Sequence, residues 1–264
     1  MKRHLNVINV IGLLSIGTAL AGCDYNRPQP TSQGPMTQSY YIQNQTVMAG
    51  GNYPLTHYSK IVVAGNVNTT IKSGQTQDIV YANGNPKSLN KLTVVQRGDV
   101  VYVSSMAQHP VDVDIDSQGS QTPLHLILSG NSHTTMTGNF LIQQIDASGR
   151  ARLNLYWMNS SSLTINAKDS AKLFLAGVTT HLDITASDSA EVNGKYLRAD
   201  DSYVMAMGNA NVGVNVKHAL GTQSMGTASV YYYTHPESAE IYLRDSGSAL
   251  NMNGLAGSSN NLLD

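Results

Sequence analysis

The chain has 264 residues, of which 41% are hydrophobic and 12% are charged, and its formal net charge is −1. This length and hydrophobic content are enough for one large domain or two small ones. The near-neutral charge excludes the strongly basic surface that binds nucleic acids or anionic membranes by electrostatics, so we expect no nucleic-acid partner.

Residues 1–22 have the pattern of a bacterial lipoprotein signal peptide. A basic start (MKRH) precedes a short apolar stretch at residues 7–20, which is shorter than a membrane-spanning helix requires. The stretch ends in LAGC, which resembles a lipobox, and Cys23 is the single cysteine of the chain. We predict that Cys23 carries lipid (diacylglycerol and palmitate) and anchors the protein in the bacterial cell envelope, at the outer membrane or a membrane that faces the periplasm. A plain secretory signal is the alternative.

Residues 23–39 follow as the lipidated cysteine and a Pro-, Gln-, Ser- and Thr-rich tether that we expect to be disordered. Residues 40–122 form a β-rich region, in which Val111–Asp116 alternates apolar and acidic residues, as a strand does. Residues 92–96 and 100–104 predict a hairpin whose turn contains Arg97-Gly98-Asp99. The pattern leaves open whether this region belongs to the repeat array that follows or is a separate sandwich.

Residues 123–252 contain an internal repeat of about 19–20 residues, anchored on one small residue in each segment. The seven anchors are Ser132, Ala151, Ala171, Ala190, Ala210, Ala228 and Ser248. Six residues and four residues before most anchors stand apolar residues such as Ile165 and Ala167, separated by polar residues. Strand-like alternation repeated at a fixed length predicts an all-β fold, a β-solenoid in which stacked coils bury a continuous core.

A Gly or Asp stands two residues before most anchors, for example Gly149, Asp169 and Asp188. Both residue types tolerate a left-handed or turn conformation, so we predict a corner of the coil there. Ile241 and Leu243 fit the apolar columns only after a shift of one residue, which predicts a bulge or an atypical capping coil. The tail, residues 253–264, is expected to fray, with its leucines available to cap the last coil.

The body of the chain, roughly residues 58–252, resembles the "putative auto-transporter adhesin, head GIN domain" family. The resemblance is carried by KIVVAGNVNTTIKSG (Lys60–Gly74), TVVQRGDVVYVSS (Thr93–Ser105), the serial I-x-A-x-[GD]-x-A-x-[VL] units from Ile145 and Asp245-Ser246-Gly247-Ser248. It implies an all-β, solenoid-like protein that is secreted or lipid-anchored. It brings no catalytic residues with it.

Three acidic residues, Asp112, Asp114 and Asp116, lie on one face of a predicted strand and are candidate ligands for Ca²⁺, which prefers oxygen donors. Alternate residues of a strand are about 6.6–7 Å apart, which is too far for one ion without further ligands. A solvated strand face is therefore the simpler interpretation, and we predict no metal. Asp169 and Asp188 could likewise bind an ion or act as a pair of catalytic acids. Glycine occupies the same position in other coils, which favours a turn residue instead.

Arg97-Gly98-Asp99 spells a tripeptide that integrins recognise, but a hairpin turn explains the glycine equally well. The histidines are not paired at metal-ligand spacing, and no nucleotide, cofactor or catalytic fingerprint is present. We therefore predict neither a cofactor nor catalysis.

Aromatic residues provide the candidate binding surface. The chain has 14 Tyr against 2 Phe and 1 Trp, and tyrosine combines a flat apolar face with a polar tip that suits sugars or proteins. Ordinary strand propensity is the alternative explanation. The residues that we select are Tyr156, Trp157, Tyr203, Tyr231 and Tyr233.

The sequence predicts a non-catalytic, lipid-anchored envelope or surface protein that binds polysaccharide or an envelope or host protein. One alternative is a β-helix polysaccharide-degrading enzyme, for which Asp169, Asp183, Asp188 and Arg152 are the candidate residues. A second alternative is a structural protein whose open solenoid ends pair with copies of itself, so a homo-oligomer is among the expected states.

Overall fold

The computed structural model describes residues 40–43, 46–49, 55–119 and 122–253, and these residues all belong to one compact unit. The predicted signal peptide, the lipidation site Cys23, the tether and the tail from residue 254 lie outside the described residues. Within the described part, no helix has the length and apolar character needed to cross a bilayer.

Strands make up most of the described chain. The first part contains β1 (Tyr40–Gln43), β2 (Thr46–Ala49), β3 (Lys60–Gly65), β4 (Val67–Lys72), β5 (Ile79–Asn83), α1 (Pro86–Leu89), β6 (Leu92–Arg97), β7 (Val100–Ser105) and β8 (Val111–Asp116). The repeat array contains β9 (Leu124–Gly130), β10 (His133–Thr137), β11 (Ile142–Ala147), β12 (Arg152–Leu155), β13 (Asn159–Ala167), β14 (Lys172–Ala186), β15 (Glu191–Ala206), β16 (Asn211–Ser224), β17 (Ser229–Tyr232), β18 (Ser238–Leu243) and β19 (Ser248–Asn251).

The array is a stack of parallel strands, and the prediction of an all-β solenoid is confirmed. Ile145 lies opposite Ile165, and Ile165 opposite Ile184, in successive coils. The alanines four residues before the anchors, such as Ala167 and Ala186, stack in the same way. All of these side chains are buried, so the columns read from the sequence are the core of the fold. Alternation places one side of each strand in that core because successive side chains point to opposite faces.

Each corner is a tight turn with a residue in the left-handed region, as predicted. Asp169 has φ 62° and Asp188 has φ 60°, while Gly149 has φ 70°. The amide of Ala171 donates to the carbonyl of Lys168 across the turn. Glycine adopts this conformation without strain, and aspartate is one of the few other residues that visits it. The corner therefore depends on a Gly or Asp in every coil.

The last coil keeps the register of the others, so the predicted bulge is wrong. Ser248 pairs with Ser229, which places Gly247, not Ser248, in the column of Ala228. The amide of Gly247 donates to Arg244 across the corner, and Asp245 takes the left-handed position with φ 58°. The one-residue discrepancy in the sequence arose because Gly247, the true anchor, stands beside a serine that resembles the other small anchors.

Two coils of the first part belong to the same solenoid. Strands β3 and β4 run parallel to β9 and β10 on one side and to β7 and β8 on the other. Gly65 lies opposite Gly130 and continues the left-handed corner with φ 80°. The chain therefore places its earlier coil between two later ones.

Antiparallel strands close the solenoid at this end. Strand β6 pairs with β7, and β5 pairs with β8, both antiparallel. The predicted hairpin of residues 92–104 is thereby confirmed. The short helix α1, which the sequence did not predict, begins at Pro86 after Asn85, whose side chain accepts from the amide of Ser88. Asparagine followed by proline is a signal for the start of a helix. A helix of only four residues is too short to show a helical periodicity in the sequence.

Candidate functional site

A row of three aromatic rings, two exposed and one half-buried, crosses three coils on the outer surface of the array. The ring centroids of Tyr156 and Phe174 are 6.0 Å apart, and those of Phe174 and Tyr196 are 5.8 Å apart. Tyr156 is 53% exposed and Tyr196 is 57% exposed. The rings are tilted to one another, which is a favourable arrangement for aromatic pairs. We call Tyr156, Phe174 and Tyr196 the aromatic ladder.

A local irregularity of β15 places Tyr196 over Phe174. The pairing of β14 with β15 shifts between Phe174 and Ala176, so that β15 contains an extra residue there. The side chain of Asn193 accepts from the amide of Lys195, and the side chain of Asn215 donates to the Lys195 carbonyl. A bulge of this kind redirects a side chain, and these two hydrogen bonds hold its main chain in place.

Lys195 extends the ladder toward the next coil. Its ammonium lies 5.7 Å from the centroid of the Tyr196 ring and 5.1 Å from that of Tyr233. A cation within about 6 Å of a ring centroid is attracted to the face of the ring. Lys195 therefore links the ladder to Tyr233.

Tyr233 also borders a polar groove with a volume of about 720 Å³. The floor is formed by short parallel pairings in which Val178 lies opposite Asn159 and Arg198. Besides Tyr233, the polar side chains that line the groove are Asn159, Ser160, Thr179, Thr180, Arg198, Asp200, Asn215, Lys217, Thr234, His235 and Asn253. Ladder and groove thus form one continuous surface, which we call the ladder–groove surface.

Charge in the groove is unbalanced. Arg198 and Lys217 contribute two positive charges against the single carboxylate of Asp200. None of these three forms an ion pair within the described residues. The hydroxyl of Thr234, by contrast, is held by the main chain of Val216. The unpaired cations are therefore the groups that remain available to a ligand, since the side-chain amide of Asn215 already donates to the Lys195 carbonyl.

The structure brings together some of the predicted aromatic residues and separates others. Tyr156 belongs to the ladder, Trp157 follows it on the exposed surface, and Tyr233 joins it through Lys195. Tyr231 lies opposite Gly213 and Leu250 on the outer side of β17. Tyr203 lies on a different face, where it pairs with Asp183 and Gly221.

The three acidic residues of β8 do not converge. Their strand alternates buried valine or isoleucine with outward Asp112, Asp114 and Asp116. Asp112 accepts a hydrogen bond of 2.8 Å from the side chain of Asn68. In the described ranges, no three His, Cys, Asp or Glu side chains come together in a way that could hold a metal ion.

The Arg97-Gly98-Asp99 tripeptide forms the turn between β6 and β7. Gly98 has φ 59°, and the hydroxyl of Ser59 donates to the Asp99 carboxylate. This hydrogen bond, with one from the backbone of Asp99, lowers the pKa of that carboxyl. Buried Gln96 completes the turn, since its amide donates to the carbonyl of Gly98. The tripeptide thus has a structural role in the hairpin.

The acids of the enzymatic alternative are likewise engaged by the main chain or dispersed. The Asp169 carboxylate accepts from the amide of Gly149 at 2.8 Å, and that of Asp188 from the amide of Asp169 at 3.3 Å. Lys172 and Glu191 form a cross-coil ion pair of 2.6 Å. Arg152 neighbours Lys172 in the preceding coil but forms no ion pair with a described carboxylate.

Two half-buried histidines take polar partners in adjacent coils. His125 lies 2.6 Å from Asp146, and His133 lies 3.1 Å from the side chain of Asn154. Burial raises the pKa of Asp146, but hydrogen bonds from Asn166, His125 and Gln144 outweigh it and hold the pKa below its usual range. This cluster joins three coils and stabilises their stacking.

Phe174, Tyr196, Lys195 and the groove cations were not selected from the sequence. They stand at different distances from the anchors of their coils, and the bulge of β15 shifts Lys195 and Tyr196 away from the common spacing. The neighbourhood Lys195-Tyr196 beside Asn193-Gly194 is a turn-like interruption of a strand. It is the one sequence signal that marks the site.

Comparisons with known proteins find a matching family and several similar structures. A model of the "putative auto-transporter adhesin, head GIN domain" family matches residues 57–236. No curated protein matches the chain. A putative adhesin from Bacteroides fragilis is similar in structure, with a TM-score of 0.64, 13% identity and coverage of 76% of this chain and 95% of that one.

Two further structures are similar. A putative adhesin from Parabacteroides distasonis has a TM-score of 0.59 and 12% identity, and the match covers 76% of this chain and 95% of that one. A putative lipid binding protein from the same species has a TM-score of 0.52 and 10% identity, with coverage of 83% and 98%. At these identities the likeness concerns the fold alone.

Proposed function

Because this chain belongs to the "putative auto-transporter adhesin, head GIN domain" family, we propose that it is an adhesin-like protein of the cell surface or envelope whose ligand is a polysaccharide. The ligand lies along the ladder–groove surface. Its sugar rings contact the aromatic faces, and its hydroxyl and charged groups contact the groove.

The aromatic ladder is the observation that carries this proposal. Three rings follow one another on the same outer surface at steps of 5.8–6.0 Å, with Tyr156 and Tyr196 exposed and Phe174 half-buried between them. Strand propensity alone does not require such a continuous row of rings across coils. A repeating polymer fits a repeating surface, since each coil adds a weak contact and the contacts combine on one chain. Apolar faces with a few directed polar groups are the usual composition of a small-molecule or glycan site.

The groove favours a glycan with acidic groups. Two cations face one carboxylate there, and Lys195 adds a third cation at the ladder. Guanidinium groups bind carboxylates in a bidentate fashion, whereas ammonium groups act as point charges. Retention should therefore weaken as the salt concentration rises.

We further propose that Cys23 carries the lipid that holds this surface at a membrane. The support is the LAGC sequence and the single cysteine. In cells given a labelled fatty acid, the wild-type protein should carry the label and the Cys23→Ser variant should not. Label on both proteins would disprove the anchor at this residue.

The binding test uses residues 37–264, whose described residues form one compact unit. The protein is passed over immobilised neutral and acidic polysaccharides, and the eluted glycan is sized. We expect retention on an acidic glycan of unchanged length. Shortened glycan would establish the degrading enzyme instead, and no retention on any glycan would contradict the proposal.

Matched alanine variants locate the surface. Tyr196→Ala removes one ring of the ladder and with it the stacking contact that this ring offers to a flat ligand. Retention should fall accordingly. Tyr203→Ala removes an exposed tyrosine from a different face and should bind as the wild type does. Equal losses in both variants would show that the ladder is not the binding surface.

A further inference from the structure

The last coil presents apolar residues to solvent at positions that are buried in all preceding coils of the array. Ile241 occupies the column of Val204 and Thr222, and Leu243 that of Ala206 and Ser224. Ile241 is 42% exposed and Leu243 is 49% exposed, whereas their counterparts are 0–2% exposed. The core of the solenoid therefore continues to an end that nothing in the described residues covers.

This end is also an unpaired strand edge. Strand β18 pairs with β16, and no described strand pairs with its other side. The amide of Arg244 donates to Ser224 in β16. Because main-chain groups alternate along a strand, the N–H and C=O of Ile241 and Leu243 point away from β16. Such a row of free donors and acceptors is a template for another strand.

The opposite end of the solenoid is different. Antiparallel β5 and β6 close it, so head-to-tail stacking of copies would meet a capped surface. An association of copies through the open end alone is isologous, with the same patch on both sides of a two-fold axis. A two-fold axis across β18 requires antiparallel pairing of the two edges.

The sequence of β18 is self-complementary in this arrangement. Around Tyr242 stand Ile241 and Leu243 on the core side and Glu240 and Arg244 on the outer side. With Tyr242 opposite its own copy, Ile241 of each chain faces Leu243 of the other, and their free main-chain groups meet. Glu240 of each chain then faces Arg244 of the other. Both charged residues are exposed, and neither forms an ion pair within the described residues.

We propose that two copies of this chain dimerise by antiparallel pairing of their β18 edges about Tyr242. The pairing joins the two cores, satisfies the free main-chain groups of Ile241 and Leu243, and forms two Glu240–Arg244 pairs. The ladder–groove surfaces of both copies stay exposed, so the dimer presents two binding surfaces to one polymer.

The test measures the mass of residues 37–264 by sedimentation over a wide range of concentration. The wild type should change from monomer to dimer. Glu240→Arg places like charges opposite each other twice per dimer and should weaken dimerisation about tenfold or more. Arg244→Glu should do the same, and the double variant E240R/R244E should restore the wild-type behaviour.

Restoration by the double variant separates specific pairing from general damage, since both positions are exposed in the monomer. A wild type that stays monomeric at every concentration would overturn the proposal. A monomer that dimerises only when residues 254–264 are removed would show that the tail covers the edge in cis, and this too would overturn it. Single variants that dimerise like the wild type would contradict the proposed register.

Discussion

The carboxylate of Asp169 accepts a hydrogen bond of 2.8 Å from the amide of Gly149, the residue at the same corner one coil earlier. Asp188 bonds the amide of Asp169 in the same way at 3.3 Å. Both aspartates have positive φ. Aspartate thus serves the corner twice, because it tolerates the left-handed conformation and its side chain satisfies an amide that the parallel pairing leaves unpaired.

Substitutions at Asp169 should separate these two contributions. Asp169→Asn keeps an acceptor oxygen and a residue type that tolerates positive φ, so the free energy of unfolding should change by less than about 0.5 kcal/mol. Asp169→Ala loses the hydrogen bond and adds the cost of a left-handed alanine, together about 2–3 kcal/mol. Asp169→Gly should lie between them. Urea unfolding measures all three, and equal stability of the Ala and Asn variants would contradict this role.

The alanine column limits the width of the core. Ala186 is fully buried between Ala167 and Ala206. Ala186→Leu should overpack this column and lower the free energy of unfolding by about 1–3 kcal/mol. Thr185→Leu is the matched control, since Thr185 is exposed on the outer side of the same strand and its change should be within about 0.5 kcal/mol. Equal melting temperatures for the Ala186 variant and the wild type would be incompatible with the observed packing.

The core columns could be predicted because each coil repeats the alternation of the one before it. Ile165 and Ala167 stand at fixed distances from Ala171, and so do their counterparts in neighbouring coils. The sequence places the last anchor at Ser248 rather than at Gly247, because glycine has no side chain that marks it as an anchor. Either glycine or serine is small enough for the anchor position. The pairing of Ser248 with Ser229 shows that Gly247 occupies it.

The first coils and the binding surface could not be predicted in this way. Gly65 lies directly opposite Gly130, but a coil inserted later in the chain, β7 and β8, stacks on the other side of β3 and β4. No constant spacing records that order. The ladder combines Tyr156, Phe174 and Tyr196 at three different distances from their anchors, because a bulge in β15 shifts one of them. Such a local irregularity depends on side-chain hydrogen bonds rather than on periodicity.

Tyr58 should make stability depend on alkaline pH. Burial raises the pKa of Tyr58 to about 12, although its hydrogen bond to Ser117 lowers it, and the charge of Asp78 adds to the rise. The folded state therefore keeps its proton between pH 10 and 12 while the unfolded chain loses it. This contribution is fully present below pH 10 and is lost as the pH rises through the pKa of the folded state, a change of about 2–3 kcal/mol.

Tyr58→Phe isolates this effect from other titrating groups. At neutral pH the variant lacks the 2.8 Å hydrogen bond to Ser117 and should be about 1 kcal/mol less stable than the wild type. The two stability curves should approach each other above pH 10 and cross near about pH 11. A constant difference between wild type and variant across the alkaline range would show that Tyr58 does not titrate with the raised pKa.

Asp146 should make stability depend on acidic pH, with stability falling as the pH is lowered. Its carboxylate accepts hydrogen bonds from the side chains of Asn166, His125 and Gln144, and its pKa in the folded state is lowered. The stabilisation is therefore present above the ordinary pKa of about 3.9 and is lost as the pH falls through the folded-state pKa. Asp146→Asn should cost about 1 kcal/mol at neutral pH, and the deficit should shrink in acid.

The control for Asp146 is Asp183→Asn, on the same outer face of the array. Asp183 is exposed, and no hydrogen bond or ion pair joins its side chain to another described residue, so its replacement should leave acid unfolding unchanged. Urea unfolding from neutral pH to pH 3 compares both variants with the wild type. A deficit for Asp146→Asn that stays constant over that range would mean that its packing, rather than its charge, holds the three coils together.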